Sequence, residues 1–328
     1  MIAELCELGD AAIERIAAEV YNSKHADRGV AFPTCVNVGD VLCHFSPLLA
    51  DEGVPTLAVG DLVKVQLGAH CEGFSALVTH TAVVPNEDGT PVEVTGRAAD
   101  VLHAAWAGAE IALRLTKAGA HSAEVTAALH RVAEAYEVTP VQDAMMYQLR
   151  RYVLHGDKVV AVRAPPGATM EDCEFEVGEV FNLDVCMSTG DGIPKATGDR
   201  STVYKREPEI HVGLKTRAGK WFIKQVSENY PALPFCLRAL GNDVQARMGA
   251  SEAYKQDLLL EFPVFRDKGA TLAQFGFTAL LLPGGTMKGT GNTLSEHIKS
   301  DKKLPDDLAE LLTKTTYKPK SRRRRAKK

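Results

Sequence analysis

The spacing of apolar and polar residues predicts a chain that begins with a helix and continues in extended segments. Between Ile2 and Tyr21, apolar residues recur three and four positions apart, which places them on one face of an amphipathic helix. Short extended pieces are expected at Gly29 to Val38 and at Val41 to Phe45. A longer apolar stretch, Leu62 to Val84, predicts strands joined through glycines 68 and 73.

Two long helices are predicted after these strands, and more strands follow. Arg97 to Lys117 is rich in Ala and Leu and stops before a glycine, and Ser122 to Glu137 starts with a serine suited to the N-cap. Strands are predicted at Val159 to Val162, Val177 to Met187 and Ala273 to Leu282. A short helix over residues 305–314 has a proline near its first turn and two aspartates at its positive end.

The stretch from about Gly190 to Pro263 has a different texture, with more polar residues and with aromatic residues spaced among the charges. It predicts a strand at Ser201 to Lys205 and helices at Lys220 to Asn229 and Asn242 to Leu260. This change of composition indicates a separate substructure.

A faint internal repeat relates two of the strands. GDLVKVQL at residues 60–67 resembles GEVFNLDV at residues 178–185, since both begin with glycine and an acid and carry a polar residue six positions later. Those polar residues are Gln66 and Asp184. The repeat predicts two related halves in which these two residues face a shared space.

The charge is unevenly distributed along the 328 residues. The net charge is −4, but residues 318–328 (KPKSRRRRAKK) hold eight cations and no acid, so that the rest of the chain carries 30 cations against 42 acids. A cationic block of this kind suits a phosphate-rich partner or nuclear localisation. We expect the tail, alone, to be disordered.

Composition excludes several classes of protein. With 45% hydrophobic and 24% charged residues the body is globular. No apolar run approaches the ~20 residues of a membrane helix, and the acidic N-terminus does not match a secretory signal. The seven cysteines are scattered without a CxxC pair, which predicts reduced thiols of a cytosolic or nuclear protein.

Asp184 is the acid whose position is most suggestive of chemistry. An unpaired charge among the core residues of a strand is costly, so that Asp184 is either a metal ligand, a general base or a buried carboxylate with hydrogen-bond donors around it. A two-metal hydrolase needs several carboxylates, usually with a histidine. Gln66 is a poor ligand, and His44 is either a substrate-contacting residue or a partly buried histidine.

Other catalytic motifs are missing from the sequence. HExxH, GxSxG, GxxxxGK[ST] and GxGxxG do not occur. The glycine-rich residues 284–291 predict a flexible loop.

A second candidate function is nucleic-acid binding, because cations and aromatic residues alternate over residues 200–225. Cations gain affinity by releasing counterions from a phosphate backbone, and exposed aromatic rings can stack on bases. Tyr204, Trp221 and Phe222 are either such rings or core residues. The candidate RNA-binding and ribosome-binding residues are Arg200, Lys205, Arg206, Lys215, Arg217, Lys220, Lys224, Lys318, Lys320, Arg322, Arg323, Arg324, Arg325, Lys327 and Lys328.

Residues Leu308 to Leu312 fit an LxxLL pattern, whose leucines can fill a groove on a partner protein. A packed terminal helix is the simpler interpretation. The pattern nevertheless leaves open an adaptor that binds nuclear proteins.

Five segments resemble one known family over nearly the whole chain. They are GVAFPTCVNVGDVLCHFSP at 29–47, GDLVKVQLGAHCEGFSALVTHTAVV at 60–84, STVYKREP at 201–208, FCLRALGNDVQARMG at 235–249 and AQFGFTALLLP at 273–283. The chain resembles the type 2 methionine aminopeptidases. It is more similar to their non-catalytic relatives, the proliferation-associated, ErbB-receptor-binding proteins.

The resemblance implies a pseudoenzyme that needs no metal or other cofactor. The active enzymes hold two metals on five side chains, and these positions correspond here to Gln66, Leu77, Tyr147, Asp184 and Gly276. Four of the five positions have thus lost their ligand, and Asp184 alone retains one. His44 matches the histidine that contacts the substrate. The pocket is expected to be vestigial.

The resemblance also implies an α/β pita-bread fold of two related halves. Residues 1–189 and 264–317 would form its core, without the family's extreme N-terminal elements, residues 190–263 an insert domain, and residues 318–328 the basic tail. Relatives bind the large ribosomal subunit near the peptide exit tunnel through ribosomal RNA and proteins.

We therefore expect a cytoplasmic and nuclear or nucleolar protein of ribosome biogenesis and translation control, with no membrane partner. The alternatives are an active metal-dependent methionine aminopeptidase and a nuclear transcriptional co-regulator adaptor.

Overall fold

The structure, a computed structural model, describes residues 1–20, 26–168, 170–291 and 293–317. Within these ranges the helices are α1 (Ile2–Glu19), α2 (Gly96–Leu115), α3 (Ser122–Tyr136), α4 (Arg217–Asn229), α5 (Asp243–Tyr254) and α6 (Asp306–Thr313), with a 3-10 turn at Leu237–Leu240. The strands are β1 (Arg28–Val38), β2 (Val41–Cys43), β3 (Leu62–Cys71), β4 (Phe74–Val83), β5 (Thr139–Pro140), β6 (Met145–Leu149), β7 (Val159–Ala161), β8 (Val180–Ser188), β9 (Lys195–Ala196), β10 (Val203–Arg206), β11 (Phe235–Cys236), β12 (Leu259–Glu261), β13 (Phe265–Arg266), β14 (Leu272–Leu282) and β15 (Gly285–Lys288).

A nine-stranded antiparallel sheet organises the protein. Seven strands follow the order β1-β3-β4-β14-β8-β6-β7, while β15 pairs with β14 and β5 with β8. The repeat-related strands β3 and β8 lie in this sheet with β4 and β14 between them. The α/β class predicted from the sequence is confirmed.

The two faces of the sheet have different neighbours. Successive residues of a strand point to opposite faces. The main apolar core contains residues of α2 and α3. It also contains the odd-numbered residues 181–187 of β8 and the odd-numbered residues 273–281 of β14. The even-numbered residues of both strands therefore point away from these helices. This second face carries the candidate functional site.

Residues 203–261 build a smaller unit with its own sheet and core. Strands β11, β10 and β12 form a three-stranded sheet, and α4 packs against α5. The apolar cluster beneath these helices includes Phe222, Val226 and Phe235, and Leu48 joins it from outside the unit. A half-buried ion pair between Arg238 and Asp10 ties the unit to α1.

Several local predictions from the sequence are wrong in detail. The helix expected over 242–260 ends at Tyr254, because Asp257 adopts a left-handed φ of 56° and β12 then pairs with β10. Ser122 is the first residue of α3 and its hydroxyl donates to Asp172, while His121 holds the N-cap position.

Gly68 lies inside β3 opposite Leu77 and does not end a strand. The chain reverses at Glu72 and Gly73, both with positive φ.

Helix α6 packs against α2 through the leucines of the LxxLL pattern. Leu308 is buried in the main core, and Leu311 and Leu312 pack against the same core and are half-buried. The packed-helix interpretation is therefore confirmed, and the leucines are not a free docking surface. Among the described residues no helix has the length and apolarity needed to cross a bilayer.

Candidate functional site

The face of the sheet opposite α2 brings three of the ligand positions expected from the resemblance into one row with Thr79. Gln66 on β3 pairs with Thr79 on β4, Thr79 with Gly276 on β14, and Gly276 with Asp184 on β8. Because laterally paired residues point to the same face, these four positions share one surface. The predicted shared space between Gln66 and Asp184 is confirmed.

A cavity of about 380 Å³ lies over this row. Its lining includes His44, Gln66, Leu77, Tyr147 and Asp184, which are five of the six pocket positions identified from the sequence. Gly276 lies directly beneath, and a Cβ added there would come within 2.7 Å of the Asp184 carboxylate. Glycine at this position thus leaves the space that Asp184 occupies.

Asp184 is a buried carboxylate with hydrogen-bond donors on one oxygen only. Its Oδ2 accepts from Gln274 Nε2 at 2.9 Å and from Thr79 Oγ1 at 3.3 Å. Burial raises the pKa of Asp184 to about 6, although both hydrogen bonds lower it. Within the described part of the chain, Asp184 Oδ1 is buried without a hydrogen-bond partner.

His44 is held in a fixed and neutral state at the cavity wall. Its Nδ1 lies 2.9 Å from the carbonyl oxygen of Pro263, so that this nitrogen carries the proton and donates it. Burial lowers the pKa of His44 to about 4. The residue has a φ of 65°, which costs a non-glycine residue of order 1–3 kcal/mol and fixes the ring beside Phe262.

The remaining pocket positions offer aromatic and apolar groups. Tyr147 pairs with Asn182 in the sheet, and its ring centroid lies 4.5 Å from that of His155. Leu77 is buried against Gly68. Burial raises the pKa of Tyr147, and burial together with nearby Lys205 lowers that of His155.

This donor set does not fit two divalent metal ions. Such a centre requires several carboxylates, whereas Asp184 is the one acid of the row and its neighbours are an amide, a threonine and a glycine. Burial also raises the pKa of Cys43, on the cavity wall, to about 12, so that its thiol stays protonated. No group of three His, Cys, Asp or Glu in the described ranges has the geometry to hold a metal.

The structure brings four of the predicted basic residues together at α4. Lys215 precedes the helix, and Arg217, Lys220 and Lys224 are exposed on it at a spacing of three and four residues. The opposite face of α4 is buried. The first turn contains no acid, but the Glu252 carboxylate accepts hydrogen bonds from the backbone N–H groups of Lys215 and Thr216 and so offsets part of the positive end of the helix dipole.

The other predicted basic residues lie elsewhere. Lys205 and Arg206 are half-buried on β10, and Arg200 lies beside Arg247 at the edge of a separate cavity. The seven cations therefore do not form one continuous helix surface. Residues 318–328, with the remaining eight, lie outside the described residues.

The aromatic residues among these cations belong to the core of the unit. Phe222 is fully buried, and Tyr204 and Trp221 pack against the same cluster and are half-buried. For Phe222 the base-stacking hypothesis is wrong.

Sequence reasoning missed part of the cavity floor. Asn182 lies two residues before Asp184 and Gln274 two residues before Gly276, and both line the cavity. The sequence pattern that could have identified them is the spacing of two residues between polar positions in two otherwise apolar strands, because residues two apart point to the same face.

The chain is similar to known proteins over most of its length. The model of metallopeptidase family M24 matches residues 7–206. Among curated proteins, an ErbB-3 binding protein 1 of Solanum tuberosum is 38% identical over all of this chain and 84% of its own length. A protein named curved DNA-binding protein, from Schizosaccharomyces pombe, is 33% identical over all of this chain and 86% of its own length.

Among solved structures, a thermophilic Arx1 superposes with a TM-score of 0.86 at 24% identity, over 97% of this chain and 91% of that one. This likeness confirms the expected pita-bread fold.

Proposed function

The chain belongs to metallopeptidase family M24 and, within it, to the group of ErbB-3-binding and proliferation-associated proteins, and we propose on that premise that it is a non-catalytic member that binds the large ribosomal subunit. It would bind near the peptide exit tunnel through ribosomal RNA and proteins and act in ribosome biogenesis and translation control. Its place would be the cytoplasm and the nucleus or nucleolus.

The proposed loss of catalysis follows from side-chain chemistry. Hydrolysis by this fold uses metals to activate a water molecule and to polarise a carbonyl group. Gln66, Leu77, Tyr147 and Gly276 stand at four of the five ligand positions, and none of them supplies a carboxylate or an imidazole. His44 is neutral and lines the cavity, but neutral histidine alone cannot replace the missing metals.

The observation that carries the binding proposal is the exposed cationic face of α4. Arg217, Lys220 and Lys224 lie on one exposed face of the helix, so that their positive fields add. Glu228, 3.9 Å from Lys224 Nζ, and Glu252 at the start of the helix offset part of this field without removing its positive sign. This arrangement favours phosphate groups. It also gives the otherwise acidic chain a local surface that attracts RNA.

The basic tail would supply the second electrostatic contact. Its eight cations in eleven residues suit the same phosphate backbone. The S. pombe relative is named a curved DNA-binding protein, which supports a proposal of nucleic-acid binding for this chain. We further propose residues 190–263 as the insert domain that presents α4.

Binding of the purified protein to isolated large ribosomal subunits, measured as a function of salt, tests the proposal. We expect the affinity to fall steeply between 50 and 200 mM KCl. Each phosphate contact contributes about 0.7–0.9 to the slope of log K against log salt. Replacing Arg217, Lys220 and Lys224 with Ala should lower the slope by up to about 2–3, and replacing Arg322 to Arg325 by up to about 3–4.

A matched variant separates a specific surface from total charge. Arg15, Lys117 and Lys268 are exposed cations on other parts of the fold, and their replacement with Ala should leave the slope nearly unchanged. Affinity that ignores salt and both cationic substitutions would overturn the electrostatic part of the proposal. Release of methionine from a Met-Ala-Ser peptide after addition of Co²⁺, Zn²⁺ or Mn²⁺ would overturn the non-catalytic part.

A further inference from the structure

Four buried acceptor oxygens in the cavity over the sheet have no donor. Besides Asp184 Oδ1 they are Oε1 of Gln66, Oδ1 of Asn182 and Oε1 of Gln274, and within the described ranges none has a hydrogen-bond partner. The side chains of Asn182, Asp184 and Gln274 are more than nine-tenths buried. Each of these oxygens can accept a hydrogen bond, so that the cavity offers four acceptors to a guest that carries several donors.

The orientation of these oxygens is set by the sheet. Asn182 and Asp184 are two residues apart on β8, so that both point to the cavity face, and Gln274 on β14 also lines the cavity. Gln274 donates its amide nitrogen to Asp184 Oδ2 at 2.9 Å, which directs its own oxygen away from that carboxylate. Three of the four acceptors are therefore presented by the neighbouring strands β8 and β14, and Gln66 reaches the cavity from β3, which β4 separates from β14.

The charge of the cavity favours a positively charged guest. Its charged lining residues are Asp184 and Asp143, and no lysine or arginine occurs among the described residues that line it. His44 is neutral because burial lowers its pKa to about 4. The nearby ammonium group of Lys64 is already engaged by the carbonyl oxygen of Gly39 at 2.8 Å.

Much of the cavity wall is apolar. Phe32, Leu77, Leu154, Phe262 and Phe265 enclose it. Its volume of about 380 Å³ lies at the small end of the range of ~300–1,000 Å³ that is typical of small-molecule sites. A bare metal ion would use the polar floor and leave these walls without a contact. A molecule with one cationic end and an apolar body uses both.

We propose that this cavity binds a small organic cation, with a primary ammonium or guanidinium group on the floor formed by Gln66, Asn182, Asp184 and Gln274 and an apolar stem against the aromatic walls. The cationic group supplies three or more N–H donors to acceptors that lack them, and its charge is paired with Asp184. This binding is separate from ribosome association, and its failure would leave that proposal unaffected.

Calorimetric titration with three probes of equal length tests the site. Hexylammonium, hexanol and hexanoate share one stem and differ in charge and donor number. We expect hexylammonium to bind at least tenfold more tightly than hexanol, and hexanoate not to bind. Asp184→Asn should weaken hexylammonium binding at least tenfold and leave hexanol unchanged.

Two further variants keep the result interpretable. Asn182→Leu removes one acceptor without changing the charge and should lower the affinity for hexylammonium about tenfold. Asp157→Asn removes an exposed carboxylate, 83% accessible, outside the cavity lining, and should change neither affinity. Equal binding of the amine and the alcohol, no binding of either, or displacement of the amine by millimolar Ca²⁺ or Mg²⁺ would each overturn the proposal.

Discussion

Replacing Asp184 with Asn should stabilise the protein at neutral pH. The folded chain holds this carboxylate at a buried site with one oxygen unpartnered, and burial raises its pKa from 3.8 to about 6. An amide has nearly the same shape. Its oxygen can still accept from Gln274 and Thr79, and its NH₂ group can donate to one of the unpartnered oxygens nearby.

The magnitude follows from proton linkage. A pKa that is about two units higher in the folded state means that the folded chain binds the proton more tightly, so that stability falls as the pH rises from about 4 to 6. Above pH 6 the full penalty is present, about 3 kcal/mol at 1.36 kcal/mol per pKa unit. The gain from the amide should therefore approach about 3 kcal/mol at pH 7.5 and be about half as large at pH 5.

Urea unfolding of both proteins at pH 7.5 and pH 5, followed by tryptophan fluorescence, measures this difference. Asp157→Asn serves as the matched control, because its exposed carboxylate should change stability by less than about 0.5 kcal/mol. If Asp184→Asn instead lowered the free energy of unfolding by 1 kcal/mol or more at both pH values, the carboxylate would be a stabilising ligand and the reasoning would be refuted.

Two further predictions concern buried residues. Lys64 is fully buried, and burial lowers its pKa to about 8. Lys64→Met should therefore raise Tm at pH 7, and this gain should shrink from pH 8 towards pH 10 as the wild-type amine becomes neutral. A lower Tm of the variant at every pH would contradict this prediction. Leu308→Ala should cost about 2–5 kcal/mol of unfolding free energy and Leu311→Ala, at a half-buried position, clearly less; equal small losses would indicate that α6 does not depend on its leucines for packing.

Six of the nine strands of the main sheet could be predicted because their apolar runs are long, whereas β5 and β6 were not predicted. The flexible loop expected over residues 284–291 is wrong in part, because residues 285–288 form β15 and pair with β14. The prediction that Gln66 and Asp184 face a shared space is also confirmed, because alternation along a strand determines which face of the sheet each residue occupies. These are local properties of the sequence. They needed no knowledge of partners distant in the chain.

The features that were missed depend on tertiary contacts. The end of α5 at Tyr254 is set by the pairing of residues 259–261 with β10, which overrides the helical spacing. The burial of Phe222 depends on α4 packing against α5. The cavity itself is closed by Phe262 and Phe265, about eighty residues after Asp184, and no spacing rule joins these segments.

The central claim is that this aminopeptidase-like fold serves as a binding protein of the large ribosomal subunit. Sedimentation of a cell extract through a sucrose gradient, with the protein followed by immunoblot, tests it most directly. We predict that the protein migrates with the large subunit at 50 mM KCl and moves to the top of the gradient at 500 mM. A protein that stays at the top at both salt concentrations would contradict the account.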